Sequence, residues 1–247
     1  MKKLHIIVFT FTLCSIAFGQ TDKLFEMNEI FVKDSSQFKT ESDFRKRDSA
    51  FFEDDNYIVR KTCSGEWGGT IWFKNKLTGI EYSCEATCPV VVNKVNGTYV
   101  VTSTLAHMVG FSTVIEIVNP DSMAIFQLPE PRQIKRKMKI YYISDRESSS
   151  KKGTKILVDS VGAMVIASFP HNDQLFHIVT DFQKTYISKI ENNTFVTVDT
   201  LSNSSLWTYD PELIRTDDGH SIVFFSNQEV KGYLDIYDNK MNLIRYQ

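Results

Sequence analysis

The sequence predicts an all-β fold, a small β-propeller of four to five four-stranded blades, with an antiparallel β-sandwich as the alternative. Two observations carry this. Helical periodicity is weak after about residue 50, where short runs rich in Val, Ile, Thr, Phe and Tyr alternate with turn residues, as strands do. Turn signals also recur on two ladders. The first passes through Asp55, Gly97, Asp173 and Gly219 in steps of 42, 76 and 46. The second passes through Asn75, Asn119, Asn192 and Asn239 in steps of 44, 73 and 47. A four-stranded unit repeating every ~40–50 residues is the pattern of propeller blades, whereas hairpins alone would also suit a sandwich.

The first unit reads as a strand over Ser49 to Phe52, a turn at Asp54-Asp55, and a strand over Tyr57 to Thr62. The loop Ser64-Gly65-Glu66-Trp67-Gly68 follows, then strands over Gly69 to Phe73 and Ile80 to Cys84. The second unit is clearest. Pro89 to Val95 and Thr98 to Leu105 flank the hairpin turn Asn96-Gly97. A loop from Ala106 to Gly110 leads to Phe111 to Val118, and Asn119-Pro120-Asp121 turns the chain into a fourth strand, Met123 to Leu128. The third unit turns at Asn172-Asp173 and Asn192-Asn193, the fourth at Asp218-Gly219 and Asp238-Asn239. The long middle step holds residues 129–158, an insertion or a degenerate blade. It contains the strand-like run Met138 to Ile143 and, from Thr154 to Val158, another strand. Residues 20–47 form an N-terminal extension, in which Leu24, Phe25, Ile30 and Phe31 suit a ring-closing strand or a short helix. Residues 48–247 are then one propeller-like domain.

Residues 1–19 read as a signal peptide. Lys2 and Lys3 precede a mostly apolar run from Leu4 to Phe18, and Ala17-Phe18-Gly19 places small residues at −3 and −1 of a cut before Gln20. The run is shorter than the ~20 apolar residues a membrane span needs. Cleavage would leave 228 residues with 26 basic and 30 acidic side chains, a formal charge of −4. The expected location is secreted, periplasmic or cell-surface, with no transmembrane segment after signal removal. No global basic field draws in nucleic acid. The basic stretch Arg132, Lys135, Arg136, Lys137 and Lys139 reads as a solvated loop rather than a polymer-binding strip.

Export also sets the cysteine chemistry. Cys63, Cys84 and Cys88 remain, so one disulfide and one leftover thiol are expected. Cys84–Cys88 would be a tight local bridge and Cys63–Cys88 is the competing pairing. Their spacing, even with His107 added, is not a zinc pattern, so no metal is expected. No cofactor is expected either. The sequence lacks a Gly-x-Ser-x-Gly elbow, a His-Glu-x-x-His helix and a Gly-rich phosphate loop.

The Lys-started signal ending before Gln20, joined to a propeller-like repeat, resembles exported proteins of Bacteroidetes-type bacteria. That resemblance implies O-glycans on Asp-Ser/Thr followed by an apolar residue, as in Asp121-Ser122-Met123 and Asp159-Ser160-Val161. It also implies that function sits on the face bearing the loops between the second and third strands of each blade. Those loops carry Glu66, Trp67, His107, Asp181, Gln183 and Glu229. A flat indole stacks on a sugar face and carboxylates accept its hydroxyl hydrogens. The leading expectation is a non-enzymatic binding or scaffold protein for a glycan or a protein partner, with no catalytic residue assigned. The alternative is a carbohydrate-active hydrolase or lyase using two carboxylates of the same face.

Overall fold

The computed structural model describes residues 24–46, 50–134 and 138–247. The signal-peptide expectation at 1–19 falls outside these residues, as do Asp48, Ser49 and the basic triplet 135–137.

Strands form because the apolar residues recur with a period of two and the turns between them suit their positive backbone angles. The N-terminal segment is strand β1 (Glu26–Val32). The first meander is β2 (Phe52–Glu53), β3 (Tyr57–Lys61), β4 (Thr70–Asn75) and β5 (Glu81–Glu85). Next come β6 (Pro89–Val95), β7 (Thr98–Leu105) and β8 (Phe111–Ile117). A separate hairpin follows, β9 (Arg132–Ile134) with β10 (Met138–Ile140), and then β11 (Lys155–Val161). The third meander is β12 (Met164–His171), β13 (Gln174–Thr180), β14 (Thr185–Glu191) and β15 (Thr194–Ser202). The last contains β16 (Ile214–Arg215), β17 (Ser221–Ser226), β18 (Lys231–Tyr237) and β19 (Lys240–Tyr246).

The chain is all-β. Three sheets have four strands, ordered β2-β3-β4-β5, β6-β7-β8-β11 and β12-β13-β14-β15. The last sheet runs β16-β17-β18-β19 and gains β1 as a fifth, parallel strand, with Glu26 opposite Lys240 and Val32 opposite Tyr246. No sheet closes on itself. The segment at 26–32 is therefore a strand and not a helix. Phe25 anchors its start: fully buried, it meets the rings of Phe169 and Phe176 edge-on at 5.7 and 5.1 Å. Burial of such a ring stabilises by about 2–3 kcal/mol.

One local reading changes. The run Met123 to Leu128 is not a strand. Met123 is buried, but Ile125 is 58% and Leu128 50% exposed, so the run offers no continuous apolar face. The edge of β8 is taken instead by β11, after a 37-residue excursion from 118 to 154, with Lys155 opposite Glu116 and Val161 opposite Phe111.

Three apolar clusters lie between the sheets. One joins β6, β12, β13 and the β17–β19 sheet through Val91, Ile166, Ile178, Val223 and Leu234. A second packs Val59, Ile71 and Phe73 against Val92, Tyr99 and Ile115, joining the first two meanders. The third holds Val100, Val114 and Val158.

Candidate functional site

The β3–β4 loop is the most heavily pinned of the connecting loops. A short 3-10 turn spans Gly65–Trp67. Cys63 is bonded to Cys88, and Cys84 is the free, buried thiol. The more distant of the two considered pairings thus forms. The two half-cystines sit on adjoining segments, whereas Cys84 points into the core between β4 and the second meander. Burial, with a smaller contribution from Glu85, pushes the Cys84 thiol up to about 12.

Two further contacts hold the loop. Glu147, from the 118–154 excursion, accepts hydrogen bonds from the Thr62, Ser64 and Thr70 hydroxyls at 2.5, 2.6 and 2.6 Å. Gly69 is packed so closely that a Cβ would lie 2.6 Å from the Ala86 carbonyl and 2.8 Å from that of Thr62. Only glycine fits there.

Glu66 and His107 come together, Oε2 to Nε2, at 3.7 Å, both about half exposed. Such an exposed pair contributes little stability, so its interest is positional. Trp67 is 56% exposed, and Met108 beside His107 is 84% exposed. The pinned loop thus holds open an indole that a core position would have buried.

Gly110 ends the β7–β8 loop against Phe182: a Cβ there would meet the Phe182 ring at 2.8 Å. Phe182 sits at φ +67° in the β13–β14 turn. That turn is held by Asp181, whose Oδ1 accepts from the Gln183 and Lys184 amides at 2.9 and 2.8 Å and whose Oδ2 accepts from the Tyr186 hydroxyl at 3.1 Å. Partial desolvation would raise this carboxyl, but the amide and hydroxyl hydrogen bonds outweigh it and hold it below the usual range. Asp181 is therefore a turn-former, and Gln183 an exposed residue of the turn it forms.

Phe182 begins an aromatic ledge. Its ring meets Trp207 edge-on at 6.1 Å, and Trp207 meets Tyr209 edge-on at 5.3 Å. Tyr209 is 72% exposed. The β17–β18 loop supports this ledge from below: the Ser226 amide donates to the Trp207 carbonyl at 3.1 Å, and Asn227 Nδ2 donates to the Ser205 carbonyl at 2.9 Å. On the far side, Lys61 Nζ pairs with Asp210 and Glu212, each at 3.3 Å, tying the segment after Tyr209 back to the end of β3. Contacts thus run from the β3–β4 loop to the β7–β8 loop, and from the segment between β15 and β16 to the β13–β14 turn, the β17–β18 loop and the end of β3.

Glu229 turns elsewhere. It lines a cleft of about 510 Å³ with Glu29, Lys231 and Arg245. Asp181 lines another, between β11 and β14–β15, and Glu66 lines neither. The three acidic residues singled out in the sequence therefore do not share a cleft. Phe182, Trp207, Tyr209 and Glu147 were not singled out. Trp207 and Tyr209 lie in an irregular stretch between Ser205 and Pro211, where no periodicity marks a surface role. Among the described residues, no three His, Cys, Asp or Glu side chains are placed to hold a metal ion. No helix among them is long and apolar enough to cross a membrane.

Comparison of the chain with protein-family models, with curated proteins and with solved structures returned no match.

Proposed function

We propose that the chain is an exported binding protein whose four meanders are the blades of a small propeller, and that its loop face recognises a glycan. The blade reading is supported by the matched strand order of the sheets and by the contacts between their connecting loops. It is also supported by β1, which brings the first described strand into the sheet of the last one. Export is supported by the disulfide, a bond of oxidising compartments.

The observation that carries the glycan reading is the run of adjoining rings Phe182, Trp207 and Tyr209, taken together with the exposed Trp67 of the β3–β4 loop. Rigid rings bind sugar faces at small entropic cost, and the neighbouring Glu66 and His107 supply hydrogen-bonding groups at the edge.

The test is a panel of neutral and acidic oligosaccharides offered to the purified chain from Gln20 onward, reading binding and product release together. The reading expects saturable binding without product, weakened at least about tenfold by Trp67→Ala and by Tyr209→Ala. Binding that survives both substitutions overturns it, as does a panel with no hit or a protein partner that competes for no glycan.

A further inference from the structure

A second cavity of different chemistry lies where the first strands of the four sheets approach one another. It encloses about 380 Å³ and is bordered by Phe52 of β2, Asn93 and Lys94 of β6, Pro170 of β12, and Ile214 and Arg215 of β16. Phe52, Lys94, Pro170 and Arg215 lie at the ends of these strands that lead into the first tight turns. The β3–β4 and β7–β8 loops are at the opposite ends, so this cavity is separate from the proposed glycan face.

Arg215 distinguishes it. Its Nη2 donates to the Val92 carbonyl at 3.0 Å and to Asn93 Oδ1 at 2.6 Å. Asn93 is itself fixed, because its Nδ2 donates to the Ser168 carbonyl at 3.1 Å. The guanidinium is therefore held in place by two acceptors that use both hydrogens of one nitrogen. A guanidinium has five N–H donors. The remaining three, on Nε and Nη1, meet no protein acceptor among the described residues; Arg215 is exposed, so these donors are open to solvent and to a ligand entering the cavity. The other charges around the cavity are matched. Arg45 pairs with Glu212 at 2.5 Å, Lys94 with Asp54 at 2.6 Å, Lys46 with Asp217 at 2.5 Å, and Glu53 with Lys76 at 2.6 Å. Among the described residues, the Arg215 charge is the one around the cavity without a carboxylate partner, and it is oriented beside partly apolar walls.

We propose that this cavity is an anion site for the carboxylate of a small organic acid with an apolar body. The carboxylate would accept from the free Nη1 and Nε hydrogens of Arg215, and the body would lie against Phe52, Pro170 and Ile214. A monoanion balances the single unmatched charge. A phosphate dianion would leave net negative charge beside apolar walls, which is costly.

The test uses benzoate as the probe, with inorganic phosphate and uncharged benzyl alcohol as controls, titrated calorimetrically into the purified chain at low salt. Benzoate is expected to saturate a single site, and Arg215→Met to weaken it at least about tenfold, as loss of a charge-assisted hydrogen bond does. A second readout needs no variant. Phenylglyoxal labelling of the wild-type chain, located by peptide mass spectrometry, is expected to slow at Arg215 when benzoate is present. Equal benzoate affinity in the Arg215→Met protein overturns the proposal. So does the lack of both heat and protection at about 10 mM benzoate, a concentration that would reveal millimolar binding. Phosphate or benzyl alcohol binding as tightly as benzoate overturns the choice of ligand class.

Discussion

Cutting the Cys63–Cys88 bond perturbs the fold and the proposed site together, and its cost can be worked out. The bond closes a loop of 25 residues. Chain-entropy arithmetic for a loop of that length gives about 3.5 kcal/mol of stabilisation, chiefly by restricting the unfolded chain. For a domain of this size each kcal/mol moves the melting temperature by about 2–4 °C, so the double variant Cys63→Ala/Cys88→Ala should melt about 7–14 °C lower. The native contacts around the loop stay in place, because Glu147 still accepts from Thr62, Ser64 and Thr70 and Gly69 still packs under Ala86. With the native state unchanged, the slope of urea unfolding should rise slightly, because the chain without its cross-link exposes more surface when unfolded, while the midpoint falls clearly. Urea and thermal unfolding of the oxidised wild type and the double variant, followed by far-ultraviolet circular dichroism, make the comparison. A change below about 1 kcal/mol would refute the reasoning, since the loop would then be ordered in the unfolded chain or the bond absent from the folded one.

Two further predictions concern titratable groups. Asp54 accepts from Lys94 Nζ and the Tyr99 hydroxyl, both at 2.6 Å, and from the Asn56 and Tyr57 amides, both at 2.9 Å. Burial alone would raise this carboxyl, but those hydrogen bonds outweigh it and lower it from 3.8 to about 2. A carboxyl lowered on folding adds stability that is complete above its unfolded value and is lost as pH falls from about 4 through about 2, worth about 2 kcal/mol at neutral pH. Asp54→Asn should lower stability by about that amount at pH 7 and flatten the wild type's loss between pH 4 and 2; urea midpoints that stay parallel across this range would count against it. Cys84, fully buried with its thiol pushed up to about 12, should resist Ellman's reagent in the native chain and react after denaturation, one thiol per molecule in the chain from Gln20 onward.

The hairpin turns were legible because their chemistry is local. Asn96, Asn172, Asp173, Asn192, Asn193 and Asp238 all carry positive φ, as the residue types at those sites require. The second of the two turn ladders held up less well, because after Asn119 the chain does not enter the expected strand. Its fourth strand lies at Lys155–Val161, and only pairing with β8, which no local signal encodes, selects it. The loops bearing Glu66, Trp67 and His107 were also legible, as was their approach across adjacent units. The aromatic ledge was not, since Phe182 and Trp207 are separated by β14 and β15 and meet only after those strands fold back. The Arg215 cradle depends on Asn93, 122 residues away. Side chains that meet across sheets are set by topology, and topology is what a repeat period specifies least.

If the surface bearing Trp67 and Trp207 binds glycan, both indoles change environment when an oligosaccharide is bound. The chain has three tryptophans, and the third, Trp72, is buried under Arg60. Tryptophan emission during titration with an oligosaccharide that binds tests this directly. The expected result is a saturable change that shrinks in Trp67→Phe and in Trp207→Phe, vanishes in the double variant and persists in Trp72→Phe. Saturable binding with no change in emission, or a change that survives in the Trp67/Trp207 double variant, would contradict it.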